Sequence, residues 1–415
     1  MTQDQPALPA PARTGPTTPA AVSPVRFAVV GNPENRRVTL FADGVRAAGL
    51  PAPRVVPWTE VLRAGGADFA PGEIVRLDSP GENPEVDRLL RDTPDPTRVE
   101  GSGRWYARFT RAVRRLRGGV RLDDADDLAV LFDKRRCHAV LAAADVPVPP
   151  SPTSGGAAAP VRGWDDVRAA MREHQMPRLF VKLAHGSSAS GVLAVEASAA
   201  GRIRATTSVE LAPDGALFNS LRLRRYEHER DIAAIVDTLA PDGLHLERWL
   251  PKASLGGRAA DLRIVVVDGR ATHAVVRTST SPLTNLHLGG RRGDLDAVRD
   301  AVRAGGGRWA DVLAVCERAA ACFPRTLCVG VDLLPAVGWH RFAVGEVNAF
   351  GDLLPRLTGL PDSGAEGLDT YAAQITAVLR RSRTGNGGGP RRPGHRHHPQ
   401  HPHDPHRTGT PHASA

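Results

Sequence analysis

With 415 residues, 41% of them apolar and 24% charged, the chain is long enough for about two or three domains with cores of their own. No stretch approaches the roughly 18 consecutive apolar residues of a membrane span, so no span and no membrane partner are expected. The net charge of +9 would suit nucleic acid, but residues 382–415 supply five Arg against one Asp, and only 19 aromatics (6 Trp, 3 Tyr, 10 Phe) could stack on bases; nucleic acid is excluded as well.

Residues 1–24 hold six prolines and no apolar periodicity, predicting a disordered arm. The opening residues, Met1 to Pro6, lack a charged and an apolar region, so no secretory signal is expected. From 25 to 120 strands alternate with helices: a strand Arg26–Gly31, a helix Arg36–Gly49 stopped by its glycine, and strands Arg54–Pro57 and Glu73–Asp78. This predicts an α/β domain with a parallel sheet. Its first turn, Gly31 to Arg37, has one glycine where a dinucleotide fingerprint needs three, which argues against a nicotinamide cofactor. The loop Asp78–Asn83 ends the third strand, where such sheets commonly bind ligands.

Asp123–His138 reads as a capped helix followed by a second helix start, ended by LAAADVPVPP at 141–150. Residues 179–250 read as antiparallel strands with one helix near 228–240, and two hairpins, Asp261–Arg277 and Leu327–Val347, flank a helix near 309–322. This half is α+β. From 382 the chain carries six Gly, six Pro and seven His, predicting a low-complexity tail without a core. Cys137, Cys316, Cys322 and Cys328 form no C-x-x-C and are too few for a disulfide framework, so they read as buried thiols of a reducing cytoplasm.

Of 54 basic residues only Lys134, Lys182 and Lys252 are lysines. Where arginine has replaced almost every generic positive charge, a surviving lysine marks a place for a compact ammonium. Lys182 ends a strand (LFVKLA) and is followed by a Gly/Ser loop, HGSSASG, whose backbone N–H groups and hydroxyls, including Ser187 and Ser188, can wrap phosphate oxygens. Asp332 stands in an apolar strand, and Glu346 and Asn348 stand two apart in the returning strand, on one face. Two carboxylates and an amide oxygen suit Mg²⁺ on nucleotide phosphates. A plain ladder pairing Leu334 with Arg341 would put Asp332 opposite Ala343, on the wrong face, so a register with Val344 opposite Asp332 or a β-bulge near the turn is required. Asp268-Gly269 is a hairpin turn that sets Asp261 and Arg263 near Arg277. Arg263 and Arg277 are expected to stabilise charge on a transferred phosphoryl group.

Jointly, Asp133-Lys134 with VPVPP downstream, VKLAHGSSASGV, HLERWL, DLRIVVVDGR, TNLHLGG, GVDLL and EVNAFGDLLP resemble the ATP-grasp superfamily, and residues 130–355 are most similar to RimK-type carboxylate–amine ligases. The resemblance implies an ATP-grasp fold, α/β plus α+β, with a disordered arm at 1–24, an N-terminal Rossmann-like (pre-ATP-grasp) domain at 25–120, a lid at 121–245, a catalytic subdomain at 246–381 and a tail at 382–415. It implies ATP and Mg²⁺ (two ions, with Mn²⁺ as a substitute). Lys134 and Lys182 would hold phosphates, Glu247 and Arg248 would border adenine, Asp261 would contact the nucleotide, and Asn285 would lie near the transferred phosphate. Asp332, Glu346 and Asn348 match the metal ligands.

The implied reaction is cytoplasmic: activation of a small-molecule or peptide carboxylate as an acyl phosphate, then capture by an amine. The alternatives are a phosphotransferase acting on a hydroxyl and a nucleotide-sensing or metal-handling protein using the His-rich tail. The acceptor pocket is expected from Arg76–Asn83 and Asn285–Arg292. Leu283, where the RimK pattern often has a basic residue, and the AFGDLLP run leave the acceptor open, as they leave monomer or dimer. Lys252, with no motif beside it, is expected to tolerate arginine.

Overall fold

The computed structural model describes residues 25–93, 95–187, 189–351, 354 and 357–385; the expected arm, the His-rich tail and Ser188 lie outside the described residues. The N-terminal unit runs β1 (Phe27–Gly31), α1 (Arg36–Ala47), β2 (Arg54–Pro57), α2 (Trp58–Ala64), β3 (Ala67–Leu77), α3 (Pro84–Arg91), α4 (Ser102–Arg114) and β4 (Leu116–Arg121). Its strands pair in the order β2-β1-β3-β4, all parallel, as expected for alternating strands and helices. β4 carries no apolar alternation and was not predicted. Its Gly118 and Gly119 both have positive φ, and a Cβ at Gly118 would sit 2.2 Å from the Phe69 carbonyl, so the strand needs glycine where a sequence pattern would show a side chain.

Two short helices follow, α5 (Ala125–Leu131) and α6 (Lys134–Ala143), and then the lid. The lid comprises α7 (Trp164–Glu173), β5 (Arg178–Leu183), β6 (Leu193–Ala197), β7 (Ile203–Leu211), β8 (Leu217–Tyr226), α8 (Glu229–Leu239) and β9 (Leu244–Arg248). Its antiparallel sheet has the order β8-β7-β6-β5-β9. Two boundaries move from those expected. β9 pairs with β5 as far as Arg248, so the lid sheet continues past 245. Leu128, Cys137 and Leu141 of α5 and α6 bury in one cluster with Trp58 and Phe109 of the N-terminal unit and with Leu262 and Val331 further along the chain, not with the residues of the lid core.

The unit expected to be catalytic holds β10 (Ser254–Leu255), β11 (Arg258–Val267), β12 (Arg270–Ser279), β13 (Arg291–Arg292), α9 (Leu295–Ala304), α10 (Trp309–Ala321), β14 (Cys328–Pro335) and β15 (Phe342–Ala349). The sheet order is β13-β12-β11-β14-β15, with β10 on β11. Asp268 and Gly269 both take positive φ in the β11–β12 turn. The required bulge is present, though in mid-strand rather than near the turn. Leu334 pairs with Ala343 and Leu333 with Val344, after which the register shifts and Asp332 stands opposite Glu346. Gly345 is the extra residue. The final helix α11 (Thr370–Gly385) runs past the expected tail boundary at 382 and returns to α1, where Tyr371 and Ile375 bury with Phe27 and Phe41.

Cys137, Cys316 and Cys328 are buried free thiols, and burial pushes Cys137 and Cys328 up to about 12. Among the described residues no helix is long and apolar enough to cross a membrane.

Besides the stack of His185 on Tyr106, two hydrogen-bonded ties join the lid to the N-terminal unit among the described residues. Residues 97–99 pair with the edge strand β8 through Asn219 N to Thr97 O (2.8 Å) and Val99 N to Leu217 O (3.2 Å). At the start of α4, Gly101 N and Gly103 N donate to the Asp242 carboxylate at 2.6 and 3.0 Å. Asp242 thus caps a helix of another unit. Asp242→Ala is expected to cost about 1 kcal/mol of stability, as loss of a helix cap does; an unchanged urea midpoint at unchanged slope would deny the cap this role.

Candidate active site

Two cavities meet among the three units. One of about 120 Å³ lies between the lid and catalytic sheets, with Phe180, Lys182, Glu247, Lys252 and Asp261 in its walls. The other, about 510 Å³, reaches the N-terminal unit and is walled by Ser79, Glu82, Trp105, His185, His287 and Arg292 among others. Lys134, Ser187, Arg277, Asn285, Asp332 and Glu346 line both, so they stand at the junction.

Local structure explains how each side chain arrives. On β5, Leu179, Val181 and Leu183 bury in the lid core, which turns Phe180 and Lys182 to the cleft face. Asp133 caps α6 by accepting from Arg135 N (3.0 Å) and Arg136 N (3.4 Å), and Lys134, the first helical residue, has its backbone N bound to Ala184 O at 2.9 Å. Its ammonium donates to Gly186 O at 2.8 Å and to Glu346 at 2.5 Å, bridging the lid loop to β15. On β11, Ala260, Leu262 and Ile264 bury in the main core while Asp261 and Arg263 alternate with them.

The site is a lattice of paired charges. Asp332 accepts from Arg263 Nε at 2.5 Å and Arg263 Nη2 at 3.1 Å, and Arg277 Nη2 lies 2.9 Å away. Burial alone would raise the Asp332 carboxyl, but the two guanidinium groups outweigh it and hold it down to about 2. Arg277 Nε donates to Asp261 at 2.7 Å, and Asp261 also accepts from the Thr284 hydroxyl. Lys182 pairs with the buried Glu247; burial would lower the ammonium, but Glu247 raises it.

Asn348 Nδ2 donates to Gly330 O at 3.3 Å, an orientation that leaves its amide oxygen to accept. Asp332, Glu346 and Asn348 therefore offer oxygens from one sheet face. Among the described residues no three His, Cys, Asp or Glu side chains gather as a metal site. Asn285 precedes the short turn Leu286–Leu288, and its backbone carbonyl accepts from Leu288 N and Gly290 N.

Several expectations are corrected. Arg248 lines the smaller cavity, but its guanidinium is drawn away to the carbonyls of His174 (3.1 Å) and Gln175 (3.4 Å). Glu247, expected beside adenine, lines the smaller cavity and is in addition the counter-ion of Lys182. Arg76, expected to begin the acceptor pocket, turns inward: it is 2% exposed, donates to Asp78 at 2.8 Å and to Gln374 at 3.3 Å, and covers the Phe41 ring. Ser79, Gly81 and Glu82 of the same loop do line the larger cavity.

Lys252 was discounted and is in the site. Its ammonium donates to Thr284 Oγ1 (3.1 Å) and Pro282 O (3.3 Å) and lies 3.5 Å from Asp261. Burial lowers it, Asp261 opposing and Arg277 adding to the effect. The lysine count alone could have found it. Thr284 and His185 were also missed; neither carries a signal beyond its place in a polar loop.

No family model and no curated protein matches the sequence. Among solved structures, D-cycloserine synthetase DcsG is similar with a TM-score of 0.51 at 17% identity, over 86% of this chain and 99% of that one. ATP-grasp ligase PsnB, complexed with minimal precursor, gives 0.47 at 17% identity over 86% and 99%. D-alanine–D-alanine ligase from Bacillus anthracis gives 0.46 at 11% over 88% and 100%. The chain has the ATP-grasp fold, an antiparallel lid sheet closing on an antiparallel catalytic sheet behind a parallel N-terminal unit. At these identities the likeness is one of fold.

Lys252→Arg is expected to weaken ATP binding about tenfold, because a planar fork cannot take the place of an ammonium held by Thr284, Pro282 and Asp261. Calorimetric titration with ATP measures it. Parental affinity in that variant would remove Lys252 from the nucleotide site.

Proposed function

We propose that this chain is an ATP- and Mg²⁺-dependent carboxylate–amine ligase, most similar in its motifs to RimK-type enzymes. A carboxylate oxygen attacks the γ-phosphorus of ATP to give an acyl phosphate and ADP. An amine nitrogen then attacks the acyl carbon, forming an amide and releasing phosphate. The observation that carries this reading is the junction of the two cavities, where Lys134, Arg277, Asn285, Asp332 and Glu346 border both a narrow cleft and a wider chamber. Chemistry that passes a phosphoryl group between a nucleotide and a second substrate needs such a meeting point. A chamber of about 510 Å³ suits a small molecule or the end of a peptide.

Asp332, Glu346 and the Asn348 amide oxygen are the groups that would hold Mg²⁺. Their fit rests on an oxygen-only donor set, an Asp332 carboxyl held ionised down to about 2, and an Asn348 nitrogen already engaged by Gly330. When bound, the ion neutralises phosphate charge.

The chain's own residues do the rest. Lys134, Lys182 and Lys252 exchange carboxylate partners for phosphate oxygens, which orients the nucleotide. Arg263 and Arg277 face the charge that develops on the transferred group. Ser187 and its Gly/Ser loop cover the junction and keep water from the acyl phosphate.

Hydroxylamine intercepts an acyl phosphate as a hydroxamate whatever the natural amine. With Mg²⁺, ATP, hydroxylamine and pools of amino acids, peptides and small carboxylic acids, hydroxamate is expected in step with ADP. An Asp332→Asn, Glu346→Gln double variant should lose both products. ADP with a stable phosphorylated product and no hydroxamate would replace the ligase by a phosphotransferase.

A further inference from the structure

His185, the first residue of the Gly/Ser loop, plays no part in the scheme above, yet its surroundings fix its chemistry. Its ring stacks on Tyr106 at 3.9 Å between centroids and 10° between planes. The Tyr106 hydroxyl in turn donates to Ala129 O at 2.7 Å, so the stacking partner is itself anchored. His185 Nδ1 lies 3.0 Å from Phe132 O. A carbonyl only accepts, so Nδ1 carries the hydrogen and the neutral ring presents a bare lone pair at Nε2. Among the described residues Nε2 has no hydrogen-bond partner and is not a sealed polar atom, and the ring lines the larger cavity.

An imidazole in this tautomer cannot donate to a phosphate oxygen. It awaits a proton donor. Its backbone neighbour Gly186 supplies the carbonyl that holds Lys134, whose ammonium touches Glu346, so the ring stands one residue from the junction on the acceptor side. The charged groups facing it are Asp133, which favours protonation, and Lys134 and Arg135, which oppose it; burial, the largest influence, opposes it too and holds the ring below the usual histidine value.

We infer that His185 is the general base that frees the attacking amine, a role that rests on the ligase reading. The acceptor ammonium gives one proton to Nε2. The freed lone pair forms the C–N bond at the acyl phosphate carbonyl, the C–O bond to phosphate breaks with its electron pair leaving on phosphate, and the second N–H proton departs to that phosphate. Stacking on Tyr106 and the bond to Phe132 O hold the lone pair in one direction, which is what an acceptor arriving from the chamber requires.

Hydroxylamine separates this role from every structural one, because its nitrogen is unprotonated at neutral pH and needs no base. His185→Asn keeps an N–H for Phe132 O but has no basic lone pair. With the amino-acid and peptide pool as the amine source, its amide products should fall by roughly a hundredfold or more, the usual share of a general base, while its hydroxamate yield stays parental. Added imidazole should restore amide formation to His185→Ala. Amide formation at the parental rate in His185→Asn, or amide and hydroxamate falling together, overturns the assignment.

A substrate-free measurement decides independently. ¹⁵N-histidine NMR of the whole chain, with the His185 signals identified by their loss in His185→Asn, should report the Nδ1–H tautomer at neutral pH. An Nε2–H tautomer or an imidazolium overturns it. A parent that yields neither ADP nor hydroxamate removes the ligase reading and this role with it, an outcome distinct from the others.

Discussion

The site depends on Asp332 being charged where water is scarce. A carboxylate taken out of water is expensive unless opposite charge meets it, and here Arg263 does so from the neighbouring β11 and Arg277 from β12, one strand further on. Each arginine then shapes what lies around it. Arg277 is shared with Asp261, which draws in Thr284 and Lys252. Across the cleft, Lys182 with Glu247 and Lys134 with Glu346 repeat the pattern. Lys134, Lys182, Lys252, Arg263 and Arg277 each already have a carboxylate to hold them in place. Such a lattice is preorganised in the sense that matters for phosphate chemistry: the donors need not be gathered when charge develops.

Two sheets must converge for that lattice to exist. β5 and β9 bring Lys182 and Glu247, β11 and β12 bring Asp261, Arg263 and Arg277, and β14 and β15 bring Asp332 and Glu346. On β11 the face that carries Asp261 and Arg263 at one end carries Val265 and Val267 at the other, where they bury with Phe27, Phe41 and Tyr371. One strand face is thus catalytic wall and interdomain core in turn. The chain places the N-terminal unit by apolar packing and the chemistry by charge, a few residues apart.

Much of this was legible because it follows from short-range rules. Alternation on LFVKL places Lys182, i and i+2 spacing aligns Glu346 with Asn348, and the Asp268-Gly269 turn brings Asp261 and Arg277 to the same end of one hairpin, although a register shift between Val265 and Val266 is what sets them directly opposite. The parity conflict between Asp332 and its partner strand could be counted in advance, but the position of the bulge could not. It falls at Gly345, where an added Cβ would come within 3.0 Å of Leu334, and that packing is a tertiary fact. Lys252 was misjudged because Asp261 and Thr284 lie 9 and 32 residues away in the chain, beyond any motif. Arg76 was misjudged for the opposite reason: its place beside a loop suggested exposure, while Asp78, Gln374 and Phe41 gave it a buried home. Long-range pairing decides buried charge, and a single sequence does not display it.

The two ties between the lid and the N-terminal unit carry a mechanical consequence. One lies at the outer edge of the lid sheet, where residues 97–99 pair with β8, and the other at Asp242, just before β9 at the opposite edge. A rigid body tied at two points keeps one rotation, about the line through them, and the stack of His185 on Tyr106 is a third contact that restrains it. That axis crosses the lid from edge to edge, so breathing of the lid is a rocking motion rather than a hinged swing from one end. α4 and the 97–101 segment act as the fixed bearing. His185, stacked on Tyr106 of α4 and bonded to Phe132 O, stays with that bearing, so rocking of the lid flexes the Gly/Ser loop beyond it.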